Sequence, residues 1–184
     1  MTTGDLRKAD GYAFTLTGMK CALRAFRWND AERLQEIAND FQVARWMSAN
    51  FRYPYTIEDA RTWIALVSPK SPPNHFAIEI DNVVAGAIGI DPHKNDQSGV
   101  AEFGYWLGRQ YWGCGIATEA GQLLIQYALD KRNLRRLEAH IFAPNSASSR
   151  VLEKCGFALE GILKKRLTDR TGNIRDQLLY ALLP

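Results

Sequence analysis

The chain has 184 residues, 46% apolar and 23% charged, and 23 lysines and arginines against 20 acids give a net charge of +3. That is enough chain for one domain with a substantial core, and too small a basic excess to argue for a nucleic-acid partner. The longest nearly apolar run, Val83 to Ile90, falls well short of the roughly 20 residues that span a bilayer. The opening MTTGDLRKADG has no apolar signal core. Cys21, Cys114 and Cys155 form no CxxC pair and do not cluster with the three histidines, which argues against a disulfide scaffold and against a metal site. The expectation is a cytoplasmic chain forming one domain over 1–184, with 1–12 as a loose extension.

In chain order, AFTLTGMKCALRAF reads as a hairpin turning at Thr17–Gly18. Asn29 or Asp30 caps a helix to about Asn39, with Ala31, Leu34, Ile37 and Ala38 on one face. A second helical stretch takes in Phe41, Val43, Ala44 and Met47, and Thr56 to Asp59 forms a variant capping box opening a helix through Val67. Residues 68–74, with three prolines, form a loop. Strands are expected over 75–80, 83–91 and 100–107, the first two joined by Asp81–Asn82. The clearest helix is 116–132, its stripe running through Ile116, Ala120, Leu123, Leu124, Tyr127 and Ala128. A strand over 135–143 stops at Pro144, Asn145 caps a short helix to Cys155, Gly156 ends it, and two strands flank Thr171–Gly172–Asn173. This order predicts a mixed α/β architecture built on one sheet.

The chemistry concentrates in YWLGRQYWGCGIATEA, residues 105–120, where a strand enters a glycine loop that opens the strongest helix. The first turn of a helix carries unpaired N–H groups and partial positive charge, so it attracts anions. Gly113 and Gly115 lack a β-carbon and let a phosphate approach the backbone. The amides from Gly113 to Ala117 can then cradle a diphosphate, with Arg109 as an added cation. No Walker Gly-Lys-Ser/Thr follows, and Thr118 stands where a dinucleotide fingerprint wants its third glycine. On the glycines alone, the loop reads equally well as a plain helix entry.

AEFGYWLGRQYWGCGIATEA followed by NSASSRVLEKCGFALEG resembles the GNAT N-acetyltransferase superfamily, most closely its ribosomal-protein (Rim-type) and polyamine acetyltransferase branch. The resemblance spans roughly residues 20 to 183. It implies a central, mostly antiparallel sheet flanked by helices, and acetyl-CoA as the acetyl donor without a metal. The loop pattern Arg/Gln-x-x-Gly-x-Gly/Ala falls on Gln110, Gly113 and Gly115, with Cys114 between the glycines and Ile116 and Ala117 behind them. In the family this loop binds the diphosphate. The preceding strand, here ending at Tyr105, Trp106 and Leu107, lies along the pantetheine and splays from the next strand, here 135–143. The second signature falls on Asn145, Ser148, Glu153, Lys154, Gly156 and Phe157. Two positions depart from the pattern. Cys114 replaces a frequent Lys or Arg, and Leu152 replaces the Tyr that in many relatives protonates the leaving thiolate.

The implied reaction is direct attack of an amine on a thioester, and only a neutral amine attacks. At pH 7, neutralising a lysine-type amine costs about 4.6 kcal/mol and a peptide α-amine about 1.4 kcal/mol. The favoured base is Glu102, which shares a strand face with Gly104 and Trp106 and whose pKa nearby apolar groups would raise. His140 is its rival, more readily taken as a structural strand histidine, and His75 and His93 rank lower. A main-chain N–H near Trp106 or Leu107 would meet the oxyanion. Ser148 is the substitute for the missing tyrosine, although a first-turn serine also bonds its own backbone. Asn145 serves as cap, cofactor contact, or both. Cys155 reads as core, and Cys114 has no base beside it in sequence, though a helix N-terminus lowers thiol pKa. The aromatic stretch 41–63 (Phe41, Trp46, Phe51, Tyr53, Tyr55, Trp63) corresponds to part of the family's acceptor site, and ordinary core accounts for most of it equally well.

The expected function is therefore acetyl transfer to a protein N-terminal amine, the chain acting as a monomer or homodimer. A polyamine or other small amine is the second acceptor class. An acyl-CoA-binding module without turnover is the alternative of a different kind.

Overall fold

Short antiparallel strands open the computed structural model, which describes residues 14–68 and 73–184. β1 (Thr15–Thr17) and β2 (Ala22–Arg24) form the expected hairpin, closed by Gly18 N–H donating to the Cys21 carbonyl at 2.9 Å. A single 3-10 turn leads into α1 (Ala31–Ala38), whose buried residues Ala31, Leu34, Ile37 and Ala38 are the predicted stripe. α3 (Ile57–Val67) follows α2 (Phe41–Ala44) and carries the predicted capping box between Thr56 and Asp59. α2 is shorter than its sequence pattern and leaves Met47 outside. The Ala44 carbonyl bonds Met47 N–H at 3.1 Å and the Arg170 guanidinium at 2.7 Å, so no amide four residues on extends the helix.

β3 (His75–Ile80) and β4 (Val83–Pro92) turn at Asp81 and Asn82, both with positive φ, as a tight hairpin requires. β5 (Val100–Leu107), α4 (Ile116–Arg132) and β6 (Arg136–Phe142) make the one parallel connection among the described residues. α5 (Ser146–Lys154) is capped by the Asn145 side chain, and β7 (Ala158–Thr168) and β8 (Ile174–Leu182) close the sheet as a hairpin. The eight strands run in the order β1-β2-β3-β4-β5-β6-β8-β7. This is the expected α/β class with one mostly antiparallel sheet. The hairpin was legible in sequence, but the insertion of β8 between β6 and β7 was not. The anticipated extension 1–12, and 69–72 of the anticipated loop, lie outside the described residues.

Strand alternation sends side chains to two cores. Leu23, Phe76, Ile88, Ile90, Phe103 and Leu137 face α4 and α5, while Ala77, Val84 and Ala87 face α1 and α3. Arg24, only 4% exposed, ties β2 to the 3-10 turn before α1 through Asp30 and to β3 through Glu79, a buried charge matched on two sides. Leu152 is 1% exposed in the α4/α5 core. Leu152→Ala is expected to cost about 2–5 kcal/mol, read as a lowered urea midpoint at unchanged m-value.

Candidate active site

β5 and β6 pair only at Val100↔Arg136, Ala101↔Leu137 and Glu102↔Glu138. Beyond Glu102 the two strands part. β5 continues against β4 as far as Leu107↔Gly86, and β6 continues against β8 as far as Phe142↔Gln177. Each arm is therefore zipped to its outer neighbour, and the inner edges form a fork whose backbone donors and acceptors face each other without pairing. Such groups need partners when shielded from water. The splay implied by the family resemblance is thus present at the expected strands.

At the end of the β5 arm, a 3-10 turn (Arg109–Tyr111) exposes Arg109 and Gln110 and leads into the glycine loop. Gly113 and Gly115 both have φ of +77°, a left-handed conformation that side chains disfavour. Gly115 is the N-cap of α4, so the capping position offers no side chain to the first amides. Ile116 is buried in the core and Ala117 packs against it, which leaves their backbone N–H groups as what they can contribute. Leu107 is buried too, and its carbonyl accepts the Trp112 indole N–H at 2.9 Å.

A residue the sequence reading missed reaches this loop. Lys20, at the β1–β2 turn, donates from Nζ to the Cys114 carbonyl at 2.7 Å, and its own amide donates to Glu119 Oε1 at 2.8 Å. The partners lie 94 and 99 residues apart, and no local motif signals the contact.

Glu102, Gly104 and Trp106 share the α1/α3 face of β5, as alternation predicts, and Trp106 packs into that core. The expectation that apolar neighbours raise the Glu102 pKa is overturned. Glu102 Oε1, in the last paired position of β5, lies 3.6 Å from Nδ1 of His140, two residues past the last paired position of β6. The His140 ring holds the Glu102 carboxyl below its ordinary value against the effect of partial burial, and Glu102 raises His140 above its own. His140 is thus no isolated strand histidine. Asp91, opposite Glu102 on β4, pairs with the His75 ring at 3.0 Å. Arg136 binds both Glu138 and Glu160. His93 adds a weaker field at Glu102.

On the opposite face, the Tyr105 hydroxyl donates to Ser148 Oγ at 3.2 Å, and Asn145 Nδ2 donates to the same oxygen at 3.0 Å. Ser148 N–H bonds Asn145 Oδ1 at 3.3 Å, which makes Asn145 the helix cap as expected. A hydroxyl has two acceptor sites and one hydrogen. With both acceptor sites used, the Ser148 hydroxyl keeps its own hydrogen for a further acceptor. Burial pushes Tyr105 up to about 12. Leu152, at the usual tyrosine position, is core and reaches no site. Cys155 is core as expected, its thiol pushed up to about 11 by burial, while Cys114 is exposed on the loop.

The aromatic stretch spans the fork. Phe51 packs edge-on to Trp106 of one arm (5.5 Å between ring centroids) and Trp46 tilts on Phe142 of the other (5.7 Å). Tyr55 stacks on Phe51, whereas Trp63 packs on Phe26 and His75, away from the arms. Arg170, in the β7–β8 turn, binds the carbonyls of Ala44, Ser48 and Phe51 and so fixes this segment across the arms.

A forked sheet with a donor-rich helix mouth at its end is the frame of an acyl-group transferase, and comparison with known proteins agrees. The profile described as "Acetyltransferase (GNAT) domain" matches residues 20–158. An uncharacterized N-acetyltransferase of Bacillus licheniformis, p20, is 33% identical over 176 residues, covering 92% of this chain and 96% of that protein. The ribosomal-protein-serine acetyltransferase of Escherichia coli K12 is 29% identical over 129 residues, covering 65% of this chain and 70% of that protein. Among solved structures, the microcin C7 self-immunity acetyltransferase MccE in complex with acetyl-CoA and AMP superposes with a TM-score of 0.75 at 26% identity, covering 91% of this chain and 94% of that one. The chain belongs to the GNAT acetyltransferase family and is an N-acetyltransferase. Among the described residues no helix is long and apolar enough to cross a membrane.

Removing the Glu102 charge should let the His140 pKa fall back toward about 6.5. Imidazole resonances followed by NMR titration in Glu102→Gln against wild type check this. An unmoved His140 midpoint would mean that the imidazole and the carboxylate are not coupled.

Proposed function

We propose that the protein transfers the acetyl group of acetyl-CoA to a protein N-terminal α-amine by direct attack within a ternary complex. The fork carries this reading. Its inner edges offer the backbone donors and acceptors that the amides of a pantetheine arm need, along Tyr105 to Leu107, and it runs toward the amides of Gly113–Ala117, which suit a diphosphate. The glycine φ values and the bare N-cap fit an anion pressed against the backbone. The Leu107 carbonyl, already taken by Trp112, is the part of the strand least suited to this role.

The two faces of the fork then divide the labour. On the α1/α3 face, a protonated amine gives its proton to the His140 ring while Glu102 holds that ring and balances the charge. Glu102, the base favoured from sequence, becomes half of a pair whose titrating member near neutrality is His140. The freed amine attacks the thioester carbon. Charge growing on the carbonyl oxygen meets a main-chain N–H on the β5 arm near Trp106. On the other face the departing thiolate meets the Ser148 hydroxyl. A free thiol titrates near 8.5, well below Tyr105 at about 12. The hydroxyl pair therefore stabilises the thiolate by hydrogen bonding and need not surrender a proton, and the hydrogen that the tetrahedral nitrogen loses as the C–S bond breaks passes to the sulfur, giving the free thiol and the amide.

The acceptor class follows from charge and base strength. The carboxylates around the fork are each engaged: Glu102 by His140, Asp91 by His75, Glu138 and Glu160 by Arg136. These contacts hold the carboxylates to groups of the protein itself, which disfavours their wrapping around the several ammonium groups of a polyamine. A base near neutrality also suits an α-amine, whose neutralisation costs about 1.4 kcal/mol at pH 7, better than a lysine-type amine at about 4.6 kcal/mol. The resemblance to a ribosomal-protein acetyltransferase points the same way.

Coenzyme A release, measured with acetyl-CoA and a panel of short peptides and polyamines, tests the assignment. Turnover should be fastest with a free peptide α-amine, and a preference for polyamines would overturn the acceptor class. Gly115→Val should raise the acetyl-CoA Kd at least tenfold, about 1.4 kcal/mol, by calorimetry. Glu102→Gln should lower kcat by roughly 10²-fold or more. Wild-type kcat/KM should fall as pH drops through the raised His140 pKa, and in Glu102→Gln that acidic limb should move to lower pH.

A further inference from the structure

The position between the two loop glycines, often a cation in relatives, is Cys114 here, and the nearest built-in charge arrives from the other end of the chain. Lys20 Nζ sits 2.7 Å from the Cys114 carbonyl oxygen, on the side of the loop toward which a Gly115 β-carbon would point, at 3.1 Å from that position. A trans peptide is planar, with C=O and N–H directed oppositely. A cation gripping the Cys114 oxygen therefore turns the Gly115 N–H away from itself, to the far side of the loop.

We propose that Lys20 is a positioning residue of the diphosphate site: by holding the Cys114 carbonyl, it fixes the Cys114–Gly115 peptide with its N–H toward the ligand. This rests on the reading of the loop as the acetyl-CoA diphosphate site. Three observations support it. The peptide runs into Gly115 at φ +77°, and Gly113 at the same φ precedes Cys114, so the Cys114 side chain alone restrains the segment locally and an outside hold steadies it. The hold is itself anchored, because Glu119 in the first turn of α4 accepts the Lys20 amide at 2.8 Å. Gly18 makes room for that carboxylate: a β-carbon there would fall 1.9 Å from Glu119 Oε1. The lysine also polarises the peptide it grips. Hydrogen-bonded groups in series strengthen one another, so an ammonium on the carbonyl makes the opposite N–H a better donor to an anion. The missing loop cation is thus replaced from behind the backbone, by orientation and polarisation rather than by direct contact.

Acetyl-CoA and acetyl-pantetheine, the same thioester without the nucleotide diphosphate, separate this role from a general structural one. Lys20→Met should raise the acetyl-CoA KM and Kd about tenfold, the scale of one charge-assisted hydrogen bond. Its kcat, and its kcat/KM for acetyl-pantetheine, should stay at wild-type values. Lys20→Arg should restore acetyl-CoA binding, and the Gly115 amide resonance should shift on titration in wild type and in Lys20→Arg but not in Lys20→Met. Acetyl-CoA binding by Lys20→Met equal to wild type would overturn the proposal, as would an equal loss with acetyl-pantetheine, which marks a collapsed site. Wild-type protein that binds no acetyl-CoA would instead overturn the reading of the loop.

Discussion

Two neighbouring parallel strands that stop exchanging hydrogen bonds after three residue pairs set the terms for everything else in this molecule. Backbone donors and acceptors are costly to leave unmatched, and a sheet would ordinarily close such a gap. Here each arm is committed to the strand on its far side, β5 to β4 and β6 to β8. The rings of Trp106 and Phe142 are engaged by an aromatic segment from one face, and the Tyr105–Ser148 contact ties β5 to α5 from the other. The opening is thereby built in, and its unmatched edges are what the proposed binding of an extended, amide-bearing substrate draws on.

Much of this was legible in the residues. Helix α4 and strand β5 begin and end where periodicity put them, because long, strongly patterned segments leave little freedom. The capping box at Thr56 and the Asn145 cap were equally readable, since each is a local bond between residues three apart. What the sequence could not give is long-range. Nothing near residue 20 announces a contact with residue 114. Nothing near Arg170 announces three carbonyls in the 44–51 segment, and α2 is short for that reason. The side-chain alternation of β5 and β6 placed Glu102 and His140 correctly on their own strands. Their meeting depended on the parallel register, which only the folded sheet supplies. The predicted upward shift of Glu102 failed on this point: apolar neighbours were visible in the sequence, the imidazole partner was not.

Charge around the fork is arranged in pairs more than in fields. His140 and His75 each meet a carboxylate, and Arg136 serves two. An exposed ion pair is worth little to stability; under the proposed mechanism the Glu102–His140 pair, beside the attacking amine, would set which proton moves first. The raised imidazole and the lowered carboxyl describe one shared adjustment, which makes the pair the chemical unit. Ser148 is handled similarly on the far side, where two donors decide the direction of its hydroxyl without any change of charge.

The separation of these two groups by the thickness of the sheet has a consequence for traffic. If the nucleophile is prepared on one side and the sulfur departs on the other, neither substrate lies across the other's exit. The sheet itself would then act as the partition between two approach routes. A compound meant to occupy both routes at once would have to pass between β5 and β6, so its connecting portion could be no bulkier than an extended chain.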